Sequence, residues 1–114
     1  MKAVVAFIRP SKEEAVREAL HNLPAVTGAS FVDVRGFGRG RGHDHARVSI
    51  DEAVVGTKPQ VRVDVMAPDE NAEAIGHAIA EAAHTGNRGD GKVYILPAES
   101  ALRISTGETG VRAV

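Results

Sequence analysis

Residues Thr85-Gly86-Asn87-Arg88-Gly89-Asp90-Gly91-Lys92 combine backbone freedom with fixed charge. Glycine tolerates positive φ, so Gly86, Gly89 and Gly91 let successive N–H groups turn toward one point, and Lys92 adds a permanent ammonium. A phosphate placed there would meet several charge-assisted hydrogen bonds, each worth roughly 1.5–3 kcal/mol. The same residues also suit a polar helix-to-strand connector, because they match neither a Walker loop nor a dinucleotide fingerprint. Two more glycine-bearing segments flank this picture: Gly36-Phe37-Gly38-Arg39 after a strand-like run, and Arg103-Ile104-Ser105-Thr106-Gly107-Glu108 near the C-terminus. His43-Asp44-His45 offers ligand types suited to zinc, nickel or copper, but its spacing does not fix a coordination geometry, and a solvated loop is the preferred reading. His21, His77 and His84 fall on helices or helix ends, and no paired-carboxylate or serine–base constellation suggests catalysis.

The elements that must position these loops follow from periodicity. Lys2 to Ile8 is a β-rich run, and Pro10-Ser11 with Glu14 has the spacing of a capping box at a helix start. Ala15, Val16, Ala19, Leu20 and Leu23 then share one helical face, which ends near Pro24. Phe31, Val32 and Val34 suggest a second strand, and Val61, Val63 and Val65 alternate with Arg62, Asp64 and Met66 in a third. Pro68-Asp69 introduces a helix with an apolar stripe of Ala72, Ile75, Ala78, Ile79 and Ala82, and Lys92 to Leu96 completes the set. The order βαββαβ predicts an α+β, ferredoxin-like sandwich with two helices on one face of an antiparallel sheet.

Composition bounds the function. A chain of 114 residues, 43% hydrophobic and 25% charged, is the size of one soluble domain, so residues 1–114 are expected to form a single unit. A formal net charge of −1 argues against a nucleic-acid partner, and the absence of cysteine removes disulfides and cysteine-based metal sites. No signal segment or apolar run of roughly 18 residues is present, which makes the cytoplasm the expected location. With three Phe, one Tyr and no Trp, the core must be built from Val, Ile, Leu and Ala, and the second sheet face is expected to pack against copies of the chain.

Between the second and third strands lie about twenty residues, longer than the roughly 12–15 at which structureless loops become unusual. They carry Arg39, Arg41, Arg47 and Lys58 against Asp44, Asp51 and Glu52, without an aromatic residue to build a core of their own. This segment is expected to move and to serve function.

The order of these motifs resembles the PII nitrogen-regulatory signalling family over nearly the whole chain. Its most specific stretch is Thr85-Gly86 followed by Gly89-Asp90-Gly91-Lys92, supported by Gly36-Phe37-Gly38-Arg39 with Gly42-His43 and by Arg103-Ile104, Thr106, Gly107 and Glu108. The resemblance implies a homotrimer that binds an adenine nucleotide (ATP, ADP or AMP, with Mg²⁺ as a possible companion) in the cleft between subunits. It implies a T-loop at about 38–58, a B-loop phosphate cradle at about 85–92 and a C-loop at about 103–110. It also implies that the T-loop acts on a protein partner such as a membrane transporter or a metabolic enzyme. In that scheme Gly36, Phe37, Gly38 and Arg39 form the T-loop base, and Thr85, Gly86, Gly89, Asp90, Gly91 and Lys92 form the cradle. Lys92 and Arg103 neutralise phosphates, Thr106 belongs to the C-loop, and Asp64 touches the ribose or orders the base pocket. Asp90 is expected either to brace its own loop or to touch ligand.

Departures from the family pattern bear on the ligand. Ser105 stands where the family has a second arginine, which points to fewer phosphates. Gly40 replaces a glutamine and Gln60 a lysine, both associated with Mg-ATP and 2-oxoglutarate, so 2-oxoglutarate sensing is disfavoured; Lys58 could substitute from two residues earlier. The long loop has no tyrosine to carry a nucleotidyl group, and Ser49 is a weak modification candidate. A slow ATPase and a metal-responsive trimeric protein are the alternative readings.

Overall fold

The computed structural model describes residues 1–38 and 56–114. The Arg39, Gly40, His43, Asp44, His45 and Ser49 expectations lie outside the described residues. Among the described residues the chain forms β1 (Lys2–Ile8), α1 (Glu13–His21), β2 (Ser30–Gly36), β3 (Lys58–Ala67), α2 (Asp69–Ala83) and β4 (Lys92–Pro97). The strands are antiparallel in the order β2-β3-β1-β4. This is the expected ferredoxin-like βαββαβ arrangement.

Alternation decides which face each strand buries. Val4, Ala6 and Ile8 of β1 pair with Val65, Val63 and Val61 of β3, so six branched or small apolar side chains form one continuous layer. The stripes of α1 and α2 cover that layer, and Val16, Leu20, Ala72, Ile75, Ile79 and Ala83 are buried in the same cluster. No aromatic residue belongs to the fully buried set among the described residues, as the composition required.

The start of the first helix differs from the capping-box expectation. Pro10–Lys12 forms a 3-10 turn with Lys12 N donating to Arg9 O at 3.0 Å, and α1 begins at Glu13 without a side-chain cap. Proline preorganises φ for a helical first turn and lacks the N–H that a cap would satisfy, so Pro10 shapes the entry without the Ser11 hydroxyl. Before α2, the Met1 ammonium lies 2.7 Å from Asp69 Oδ1, and Asp69 and Glu70 place negative charge at the positive end of the helix. The hydrogen bond from the N-terminus holds the Asp69 carboxyl below its ordinary range.

The opposite sheet face is open and carries a patch of apolar side chains beside polar ones. Val32 is 51% exposed, Tyr94 47%, Leu96 48% and Met66 38%. On the same face the Phe7 and Tyr94 rings meet edge to face at 6.3 Å, and Arg62 lies over Phe7 at 5.8 Å.

Ile79 carries no exposed surface, so Ile79→Ala should destabilise the chain by about 2–4 kcal/mol through lost burial and a residual cavity. Chemical unfolding should show this as a lower midpoint, while Glu73→Ala on the exposed side of α2 should shift it by no more than about 0.5 kcal/mol.

Candidate functional site

The loop between α2 and β4 takes its shape from glycine and one carboxylate. Gly86, Gly89 and Gly91 have φ of 90°, 95° and 102°, the left-handed region where other residues are strained. At Gly91 the constraint is also spatial, because a Cβ would overlap the Phe7 carbonyl oxygen of β1. Only glycine lets the loop pass that close to the strand.

Asp90 ties the loop together. Its Oδ2 accepts from the Thr85 and Gly86 amides, each at 2.8 Å, and its Oδ1 accepts from the Thr85 hydroxyl. Arg9 Nε donates to Oδ1 at 3.0 Å while Arg9 Nη2 donates to the Arg88 carbonyl at 2.7 Å, so one guanidinium staples the end of β1 across the loop. Partial burial pushes the Asp90 carboxyl up, but the Thr85 hydroxyl, the two amides and Arg9 outweigh it and hold the group well below the usual carboxylate range. Asp90 therefore bonds its own loop.

Among the described residues no protein acceptor meets the amides of Gly89 or Gly91. Arg9 Nη2 and Lys58 Nζ lie 3.4 and 2.5 Å from the point a Gly89 Cβ would occupy. Lys92 begins β4 opposite Phe7 and leaves the strand on the same face as that ring. The Arg9 and Lys58 cations thus meet at Gly89, with Lys92 at the exit of the loop into β4, an arrangement suited to an anion with several negative oxygens.

The remaining candidates sit elsewhere in a single chain. Gly36 closes β2, and Phe37 beyond it is 69% exposed. Asp64 lies on the open sheet face opposite Val5 and Ser30, where Arg62 grips it through Nε to Oδ2 and Nη2 to Oδ1, both at 3.0 Å. Residues 102–109 close on themselves: Leu102 bridges Thr109, Arg103 N donates to Glu108 O at 2.9 Å, and Gly107 N donates to Arg103 O at 2.8 Å. The side chains of Arg103 and Thr106 both face Glu108, at 3.9 and 3.1 Å. Among the described residues no hydrogen bond or ion pair joins this turn to the 85–92 loop within one chain.

Sequence reasoning missed Arg9 and Arg62. Arg9 has a faint signal, a lone cation at the end of an apolar strand just before Pro10. Arg62 had a clearer one, because residues two apart on a strand share a face, and Asp64 is its nearest same-face neighbour.

The family model described as nitrogen regulatory protein P-II matches residues 1–108. Proteins named nitrogen regulatory protein P-II from Rhizobium meliloti (strain 1021) and Cereibacter sphaeroides are each 43% identical to this chain over 114 residues, all of both chains. The protein of the same name from Azospirillum brasilense is 40% identical over the same full length.

The bonding of Asp90 sets a pH dependence. Its folded pKa is depressed below the ordinary 3.8, so its contribution is complete above the unfolded value and is lost as pH falls through the folded one. Hydrogen exchange at the Thr85 and Gly86 amides should stay protected from neutrality down to about pH 4, after correction for intrinsic rates, and fail only in stronger acid. Asp90→Ala should accelerate exchange at those two amides by roughly 10-fold or more even at neutral pH, without changing the buried amides of α2. Equal protection in the variant would show that the loop holds its shape without the carboxylate.

Proposed function

The chain belongs to the nitrogen regulatory protein P-II family, and from that premise we propose that it is a signalling regulator that binds an adenine nucleotide. The observation that carries this reading is the 85–92 loop, whose Gly89 and Gly91 amides meet no acceptor among the described residues and lie near Arg9, Lys58 and Lys92. Phosphates bind such groups through short, charge-assisted hydrogen bonds. The purine would lie beyond the loop, in a cleft completed by a neighbouring subunit that brings its own 103–108 turn.

The proposed assembly is a homotrimer closed through the open sheet face. An apolar surface built from Val32, Met66, Tyr94 and Leu96 gains by leaving water, at about 25 cal/mol per Å² of apolar area. Nucleotide in the cleft then biases the segment between β2 and β3, which presents its surface to a partner such as a transporter or a metabolic enzyme in the cytoplasm. Among the described residues no helix is long and apolar enough to cross a membrane. Gln60 weighs against 2-oxoglutarate as a co-ligand, because its amide oxygen lies 2.9 Å from the point a Gly36 Cβ would occupy and carries no positive charge.

Calorimetric titration with AMP, ADP and ATP, with and without Mg²⁺ and 2-oxoglutarate, should show saturable binding that Lys92→Ala weakens by roughly 10-fold or more. Absence of binding at millimolar concentration would refute the nucleotide reading. Sedimentation should give a mass of three chains, and Leu96→Glu, which places charge on the proposed interface, should shift the protein toward monomer. A monomeric wild type would refute the trimer and leave the loop chemistry to be judged separately.

A further inference from the structure

Lys58 is the first residue of β3, at the base of the 39–55 segment, and its ammonium extends back to the 85–92 loop. Its Nζ lies 2.5 Å from the point a Gly89 Cβ would take, next to Arg9 Nη2 at 3.4 Å from the same point. Two cations this close repel one another unless negative charge lies between them. Arg9 is already engaged by Asp90 and the Arg88 carbonyl. Lys58 forms no ion pair among the described residues. Its charge is available to a ligand at Gly89.

Gln60 shares the strand face of Lys58 but serves a different place. Its Oε1 lies against Gly36 at the end of β2, and a neutral amide there supplies no charge to the loop. Lys92 enters from the other side, because the sheet order puts β1 between β3 and β4. The backbones of Lys58 and Lys92 are therefore at least two strand spacings apart, roughly 10 Å. Two cations whose strands lie on either side of β1 suit a chain of phosphates better than a single one.

We infer that Lys58 is the residue that determines phosphate number at this site, contributing to ligands that carry more than one phosphate and little to a monophosphate. The inference rests on the reading of the 85–92 loop as a phosphate cradle. It assigns to Lys58 a charge that neither Gln60 nor Ser105 supplies.

The test is calorimetric titration of the full chain with AMP, ADP and ATP in the wild type and in Lys58→Ala, Lys58→Arg, Gln60→Ala and Lys92→Ala, each checked for an unchanged unfolding midpoint. Lys58→Ala should lower ATP affinity by roughly 10- to 100-fold while AMP affinity stays within about threefold, compressing the preference for the longer phosphate chain. Lys58→Arg should keep most of that preference, and Gln60→Ala should leave it unchanged. An equal loss for AMP and ATP in Lys58→Ala, or no loss for either while Lys92→Ala still weakens both, would overturn the role of Lys58 and leave the cradle standing. A wild type that binds none of the three nucleotides would overturn the cradle and this inference together.

Discussion

A carboxylate that accepts from two backbone amides, a hydroxyl and a guanidinium holds the glycine loop in the conformation on which every proposed ligand contact depends. Asp90 is 81 residues from Arg9, yet their 3.0 Å contact fastens the loop to the end of β1. Closing a segment with three glycines costs conformational entropy, of order 1–2 kcal/mol per residue, which these contacts offset. Spending the carboxylate on its own loop also settles the electrostatics. Asp90 offsets one cation, Arg9, and leaves Lys58 as positive charge at Gly89 and Lys92 at the exit of the loop.

The sheet supplies the rigidity that makes this bonding effective. Phe7, at the end of β1, pairs with both Arg62 of β3 and Lys92 of β4, so one residue level joins the aromatic contact, the Asp64 ion pair and the exit from the loop. The Phe7 carbonyl is also the atom that excludes any side chain at Gly91. Strand register and loop shape are therefore not independent, because a slip of β4 against β1 would move Gly91 from the one place where its missing Cβ matters.

How much of this was legible in the sequence depends on the range of each interaction. Alternation at Val61, Val63 and Val65 and the stripe at Ala72, Ile75 and Ile79 are local, and they identified the strands and the helix that form the core. The three loop glycines were legible for the same reason, since each takes the positive φ that its type suggested. The Ser11 cap was not realised, because Pro10 imposes a 3-10 entry through its fixed φ and the motif spacing alone does not weigh the two. The contact of Arg9 with Asp90, and the return of Lys58 to Gly89, depend on the whole strand order β2-β3-β1-β4, which no short window contains.

The C-terminal turn shows why one chain gives only part of the proposed site. Arg103 rests near Glu108 at 3.9 Å, and Arg112 approaches the same carboxylate at 3.8 Å, so the turn carries two guanidinium groups around one acid. Exposed pairs at such distances contribute little, about 0–1 kcal/mol, whereas a phosphate held by a guanidinium in a partly desolvated cleft gains more from each contact. Arg103 can therefore exchange its internal partner for an anion at small cost. Glu108 would keep Arg112 as a counter-charge when that happens. The turn and the 85–92 loop share no hydrogen bond or ion pair among the described residues of one chain, so an anion that meets Lys92 on one subunit and Arg103 on another would draw its binding energy from the assembly. Coupling of that kind makes ligand affinity and subunit association two measures of the same free energy.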